Sequence, residues 1–240
     1  MNTSTMFFLM TITTNLFLVL AFLFAVGAAK ALFKNKTLKK EILRFKKPLF
    51  AMFAAAMFFF ALGFLLFDPN EQTGSGTLIT ISTTLFSVSY ALLIASLSYF
   101  WHHISRLHKA KAYEPLFFIG TAAGVFIWLH YLFEAVLIPR ADLFPFYKKV
   151  LLMIHPLAVA LIFLLTLTIH PARKANLIKA PLQYISSAIF LYFVGYMVLV
   201  YSIGKGASMD LSLLHATLFL LSSVFFFIGF YIAEKTYLTE

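Results

Sequence analysis

The chain has 240 residues, of which 62% are hydrophobic and 12% are charged, and its formal net charge is +10. A soluble domain of this size needs many more polar side chains to cover its surface, so the apolar residues are expected to face lipid. Nucleic-acid binding is not expected, because the basic residues lie between long apolar runs rather than on one folded surface. The lack of cysteine excludes disulfides, thiolate metal ligands and cysteine nucleophiles.

Seven apolar segments are long enough to cross a hydrocarbon core, which needs about 20 residues of helix. The sequence therefore predicts an all-α protein: one domain over residues 1–240, built as a bundle of seven transmembrane helices. Pro48 and Pro115 stand at predicted helix starts, where the missing N–H of proline has no intrahelical partner to lose. The predicted helices cover about residues 6–32, 48–67, 77–101, 115–139, 149–170, 183–204 and 211–233.

Lys and Arg are distributed unequally along the chain. Fifteen of the 19 lie in or beside the first, third and fifth connections and in the C-terminal tail, and eight of them fall between Lys30 and Lys47. Because cytoplasmic loops retain basic residues, we predict an N-terminus outside and a C-terminus in the cytoplasm, in the plasma (inner) membrane. The basic loops are also expected to attract anionic lipid headgroups, or alternatively a cytoplasmic protein partner.

Two predicted helices carry small residues in patterns typical of helix packing. The third helix is rich in Ser and Thr, which favours close packing against its neighbours, and a polar pore is the alternative. In the fourth helix, Gly120 and Gly124 form a small-xxx-small pattern. This pattern is typical of packing within a bundle and also of homodimers.

Four ionisable residues lie inside predicted helices, where a charge without a partner is costly. His130 and Glu134 are four residues apart and share one helix face, His155 lies on the fifth helix, and His215 lies on the seventh. Counted at about 1.5 Å per residue from the outer helix ends, all four fall about 7–13 Å deep. Three imidazoles and a carboxylate at one depth match the ligands of a divalent metal such as zinc, and less closely the axial ligands of haem.

Alternatives remain open for these residues. His130 and Glu134 also fit an internal hydrogen-bonded pair, and His215 also fits a position in contact with water. Retinal is not expected, because the seventh predicted helix has no lysine for a Schiff base. Aromatic residues on the fourth and sixth helices predict a ligand pocket, with an interfacial aromatic belt as the alternative; they are Trp128, Tyr131, Tyr192 and Tyr196.

These patterns favour a membrane-embedded sensor or receptor-like module that binds a small ligand or a metal ion in the outer half of the bundle. The alternative is a metal-dependent intramembrane hydrolase that acts on a lipid-like substrate. In that enzyme His130, His155 and His215 would hold the metal, and Glu134 would be the general base. A transporter is the third interpretation. It ranks behind the other two because many transporters contain internal repeats, and the halves of this chain show no clear repeat.

Overall fold

The computed structural model describes residues 3–34, 40–66, 76–107, 113–139, 146–167, 180–205 and 209–239. Over these residues the chain forms seven helices and no strand, which confirms the predicted all-α architecture. The fourth helix ends in a π-helical segment, Phe133–Leu137. In chain order the helices are α1 (Thr3–Lys34), α2 (Lys40–Leu66), α3 (Gly76–Leu107), α4 (Tyr113–Leu132), α5 (Phe146–Leu167), α6 (Pro181–Lys205) and α7 (Met209–Thr239).

Six described helices are long and apolar enough to cross a membrane, as expected of an integral membrane protein. The α5 helix contributes a shorter apolar stretch, Met153–Leu167, so a seventh span remains a prediction. The orientation of the termini also remains a prediction, and connections on which it rests, such as 35–39 and 168–179, lie outside the described residues. The six spans are Thr5–Lys34, Lys46–Leu66, Thr80–His103, Pro115–Leu137, Pro181–Ser202 and Asp210–Leu238.

Helices α2 and α7 pack against each other along a seam of buried aromatic rings. On each helix these rings recur at three-, four- or seven-residue spacing, which keeps them on one face. The paired residue numbers rise on α2 as they fall on α7, so the two helices are antiparallel. The ring pairs, with centroid separations of 5.3 to 6.4 Å, are Phe50–Tyr237, Phe53–Phe230, Phe60–Phe226 and Phe64–Phe219.

Helix α7 also packs on α1 and α6. It runs parallel to α1, because the residue numbers of the facing rings rise together on the two helices: Phe7–His215, Phe17–Phe227 and Phe24–Tyr231. Against α6 it approaches closely at Gly195, where an added Cβ would lie 3.0 Å from the side chains of Leu218 and Phe219. The glycine therefore permits close contact between these two helices.

Serine hydroxyls of α3 bind the backbone of α2. Ser82 Oγ donates to the carbonyl of Gly63 at 2.9 Å, and Ser89 Oγ donates to the carbonyl of Ala56, also at 2.9 Å. Both serines are fully buried. These two residues of the Ser- and Thr-rich helix therefore act in helix packing, since each hydroxyl proton goes to a neighbouring carbonyl.

Pro48 lies inside α2, which begins at Lys40, so the prediction of a helix start at this proline is wrong. An interior proline costs the helix one intrahelical hydrogen bond. The helix nevertheless continues through Pro48, because the buried residues Leu49 and Phe50 hold the next turn in the core. Pro115 occupies the first turn of α4, as predicted.

Candidate functional site

His155 on α5 is buried and bonded to α3. Its Nε2 lies 2.9 Å from Ser87 Oγ, and Ser87 Oγ lies 2.9 Å from the carbonyl oxygen of Thr83. A hydroxyl has one proton and a carbonyl only accepts, so Ser87 donates to Thr83 and the Nε2–H of His155 donates to Ser87. The imidazole also meets the Tyr90 ring edge-on, with centroids 5.0 Å apart. His155 is thus part of the packing between α3 and α5.

Tyr192 on α6 lies at the centre of the bundle. Its hydroxyl is 2.5 Å from the hydroxyl of Tyr90 on α3. The centroid of its ring lies 4.9 Å from the ring centroid of Phe60 on α2. The same ring stacks on Phe219 of α7, with 5.2 Å between the ring centroids. Tyr196, one turn later, is buried beside it with ring centroids 6.0 Å apart. Tyr192 therefore links four helices through one hydrogen bond and two ring contacts.

His215 lies in a different interface, between α7 and α1. Its ring centroid is 6.1 Å from that of Phe7 on α1 and 5.7 Å from that of Phe219. Its Nδ1 lies 3.2 Å from the carbonyl oxygen of Leu211, which can only accept, so Nδ1 carries the proton. The neighbours of His215 are thus α1 and α7 residues, whereas those of His155 come from α3.

His130 and Glu134 form the contact that their spacing predicts, on the outward face of α4. His130 Nε2 lies 3.4 Å from Glu134 Oε2, and the two side chains are 60% and 65% exposed. Leu132 and Val136, on the opposite face, are buried. The pair therefore points away from the bundle.

The four predicted metal ligands are not brought together. His130 and Glu134 face outward, whereas His155 and His215 are buried in two separate helix interfaces. The described residues contain no group of three or more His, Cys, Asp or Glu side chains that could hold a metal ion. The reason is geometric: the sequence gives the depth of a residue along its helix, but residues at one depth can point in different directions around the helix axis.

A groove of about 500 Å³ lies between α4, α6 and the first turn of α7. The α4 helix meets α6 mainly through its π-helical end, so its earlier turns stand apart from α6. The groove wall is almost entirely apolar. Among its lining residues are Gly124, Val125 and Trp128 of α4 and Val194, Met197 and Tyr201 of α6.

The four aromatic residues predicted to form a pocket divide between two places. Trp128 lines the groove, and Tyr131 is an exposed neighbour with its ring centroid 5.8 Å away. Tyr192 and Tyr196 are buried in the bundle interior and are not among the groove residues. The same helix, α6, thus carries two of these aromatics into the core and other residues into the groove.

Sequence reasoning missed the residues that bind His155 and Tyr192. Ser87 and Tyr90 are three residues apart on α3 and therefore share a face. That spacing signals a polar stripe on α3, but it does not say which helix the stripe meets. Pairing with α5 and α6 depends on how the helices are rotated against each other.

Comparisons with known proteins give no family for this chain. No protein-family model, no curated protein and no solved structure matches it.

Proposed function

We propose that the protein is a membrane-embedded, receptor-like binding module that takes an apolar, lipid-like molecule into the groove between α4 and α6. The observation that carries the proposal is the groove itself, since about 500 Å³ is within the range of small-molecule pockets. Val125, Val194 and Met197 give it an aliphatic wall. Such a wall matches an acyl or isoprenoid chain, which needs contact area and few hydrogen bonds.

Two amphipathic side chains support a ligand with a small polar group. Trp128 and Tyr201 both line the groove, and each has an apolar ring with one polar atom at its edge. Tyr201 is four residues from the end of α6, and the groove residue Leu211 lies in the first turn of α7. The groove therefore extends towards the helix ends that the distribution of basic residues assigns to the outside.

The position of α6 suggests how occupancy of the groove would be sensed. Phe193 and Met197 line the groove, while Tyr192 and Tyr196 pack in the core. Phe193 also stacks on Phe163 of α5 at 4.6 Å. A ligand that moves α6 would thus act on the Tyr192 contacts and on α5 together. A binding signal needs such a difference between two states of the bundle.

Quenching of Trp128 fluorescence by a bromine-labelled fatty acid tests the proposal. The chain has two tryptophans, so a Trp101→Phe background leaves Trp128 as the single reporter. The purified protein in nanodiscs is titrated with the labelled fatty acid. We expect saturable quenching, because a groove fills whereas bulk lipid does not.

A glycine pair supplies the matched variants. Gly124 lines the groove and Gly120 does not, and an added Cβ meets nothing within 4 Å at either position. Gly124→Phe should fill the groove and abolish the saturable component, and Gly120→Phe should retain it. Equal quenching without saturation in all three proteins would show that Trp128 reports only contact with bulk lipid, and would overturn the proposal.

A further inference from the structure

A small cavity of about 30 Å³ lies between α1, α7 and the end of α2, where Phe64 forms part of its wall. It is distinct from the groove, because none of its lining residues lines the groove as well. Its polar lining residues are Thr11 and Thr14 of α1 and His215 of α7, and the rest of its wall is apolar. We call it the α1–α7 cavity.

His215 brings a hydrogen-bond acceptor to this cavity. Its Nδ1 donates to the carbonyl oxygen of Leu211, so its Nε2 has a lone pair and no proton. The residue is only 6% exposed, and within the described chain no group donates to Nε2. A buried acceptor without a donor is unfavourable, and buried polar atoms normally have a partner in the protein or in an ordered water.

The two threonines bring a donor and a second acceptor. Thr11 Oγ1 donates its proton to the carbonyl of Phe7 at 3.0 Å, so towards the cavity this oxygen can only accept. Thr14 is 4% exposed, and its hydroxyl makes no hydrogen bond to any other described residue, so its proton remains to be donated. Together with His215, the cavity thus offers two acceptors and one donor.

The size and position of the cavity select water as its occupant. A water molecule takes up about 30 Å³ in the liquid, and a polar cavity of this volume admits it while excluding larger organic groups. The lining residues Phe7 and His215 follow the starts of α1 and α7 by four and six residues, and Phe64 precedes the end of α2 by two. At about 1.5 Å per residue, His215 is about 9 Å from the helix start, within reach of the aqueous phase at that end.

We infer that the α1–α7 cavity is a binding site for an ordered water molecule that bridges α7 and α1. The water donates one proton to His215 Nε2 and the other to Thr11 Oγ1, and it accepts the proton of the Thr14 hydroxyl. These are three hydrogen bonds, the number that a buried water typically makes. The bridge completes the hydrogen bonding of His215 and adds a polar link to the ring contact between His215 and Phe7.

Water-edited solid-state NMR of the full-length protein in lipid bilayers tests this site. The seven histidines are labelled with ¹⁵N, and magnetisation is transferred from water protons to the ring nitrogens. The signals of His215 are assigned by their loss in His215→Gln. We expect transfer to His215 Nε2. His155 is the control in the same sample, because it is 3% exposed and bonded to Ser87, and we expect little transfer to its ring.

Three variants separate a held water from solvent at the helix ends. Ala216 lines the cavity, so Ala216→Val should fill it and abolish the transfer to His215. Thr14→Val keeps the shape of the side chain but removes the donor, and most of the transfer should be lost. Thr13→Val is the matched control, because the Thr13 hydroxyl donates to the carbonyl of Leu9 and the residue does not line the cavity. It should leave the transfer unchanged.

Three results would overturn the inference. The first is transfer to His215 no stronger than that to His155, which indicates a dry cavity. The second is transfer that neither Ala216→Val nor Thr14→Val reduces, which indicates bulk water at the helix ends. The third is an equal loss in Thr13→Val and Thr14→Val, which indicates a general change in α1 rather than the loss of one bound water.

Discussion

The hydroxyl of Tyr90 on α3 is hydrogen-bonded to the hydroxyl of Tyr192 on α6, although the residues stand 102 positions apart in the chain. Both side chains are buried. A polar pair in such a place is satisfied only while both partners are present, because no water replaces a missing one. The contact therefore fixes the rotation of α6 against α3, and with it the residues that α6 presents to the groove.

Replacing either tyrosine by phenylalanine should destabilise the bundle. Tyr192→Phe leaves the Tyr90 hydroxyl without its partner, and we expect a loss of about 1–2 kcal/mol in the free energy of unfolding. The double change with Tyr90→Phe should cost less than the sum of the single changes, since no unpaired hydroxyl remains. Denaturant or thermal unfolding in detergent micelles measures both. Tyr231→Phe, at an exposed ring, should be neutral; a similar loss there would contradict the assignment.

Glycine-to-alanine substitutions should separate internal helix contacts from open surface. At Gly195 the new Cβ would lie 3.0 Å from Leu218 and Phe219, so we expect Gly195→Ala to destabilise the protein by about 1–3 kcal/mol. At Gly120 the space is open. There the same change should be neutral or stabilise the helix by up to about 1 kcal/mol. Thermal unfolding of the two variants in the same detergent gives the comparison, and equal midpoints would contradict it.

Metal content should not depend on the histidines of the spans. A shared ion needs ligands that converge, whereas His130 faces outward and His155 is bonded to Ser87. After incubation with zinc and dialysis, mass spectrometry should find the same metal content in wild type, His130→Ala and His155→Ala. One equivalent of zinc in wild type that both variants lose would restore the shared site predicted from sequence.

Membrane orientation can be tested with single cysteines in the first two connections. Asn35→Cys lies among the basic residues that predict a cytoplasmic loop, and Asn70→Cys lies in the next, less basic connection. In intact cells an impermeant maleimide should label Asn70→Cys only, and Asn35→Cys should react after permeabilisation. The reverse pattern would place the N-terminus in the cytoplasm.

The local features of this protein follow from its sequence. Runs of apolar residues about 20 long define the helices, because in lipid the backbone must satisfy its own hydrogen bonds. The contact between His130 and Glu134 follows from their spacing on one helix. Each of these features depends only on residues near one another in the chain.

The tertiary structure decided how the helices face one another. Depth along a helix can be counted from the sequence, but rotation about the axis depends on the packing of every neighbour at once. That rotation bonds His155 to Ser87, places His215 against α1, and directs the His130–Glu134 pair outward. The separation of α4 from α6 that forms the groove has the same origin. No local pattern specifies the gap, because it results from how α4 packs on its neighbours.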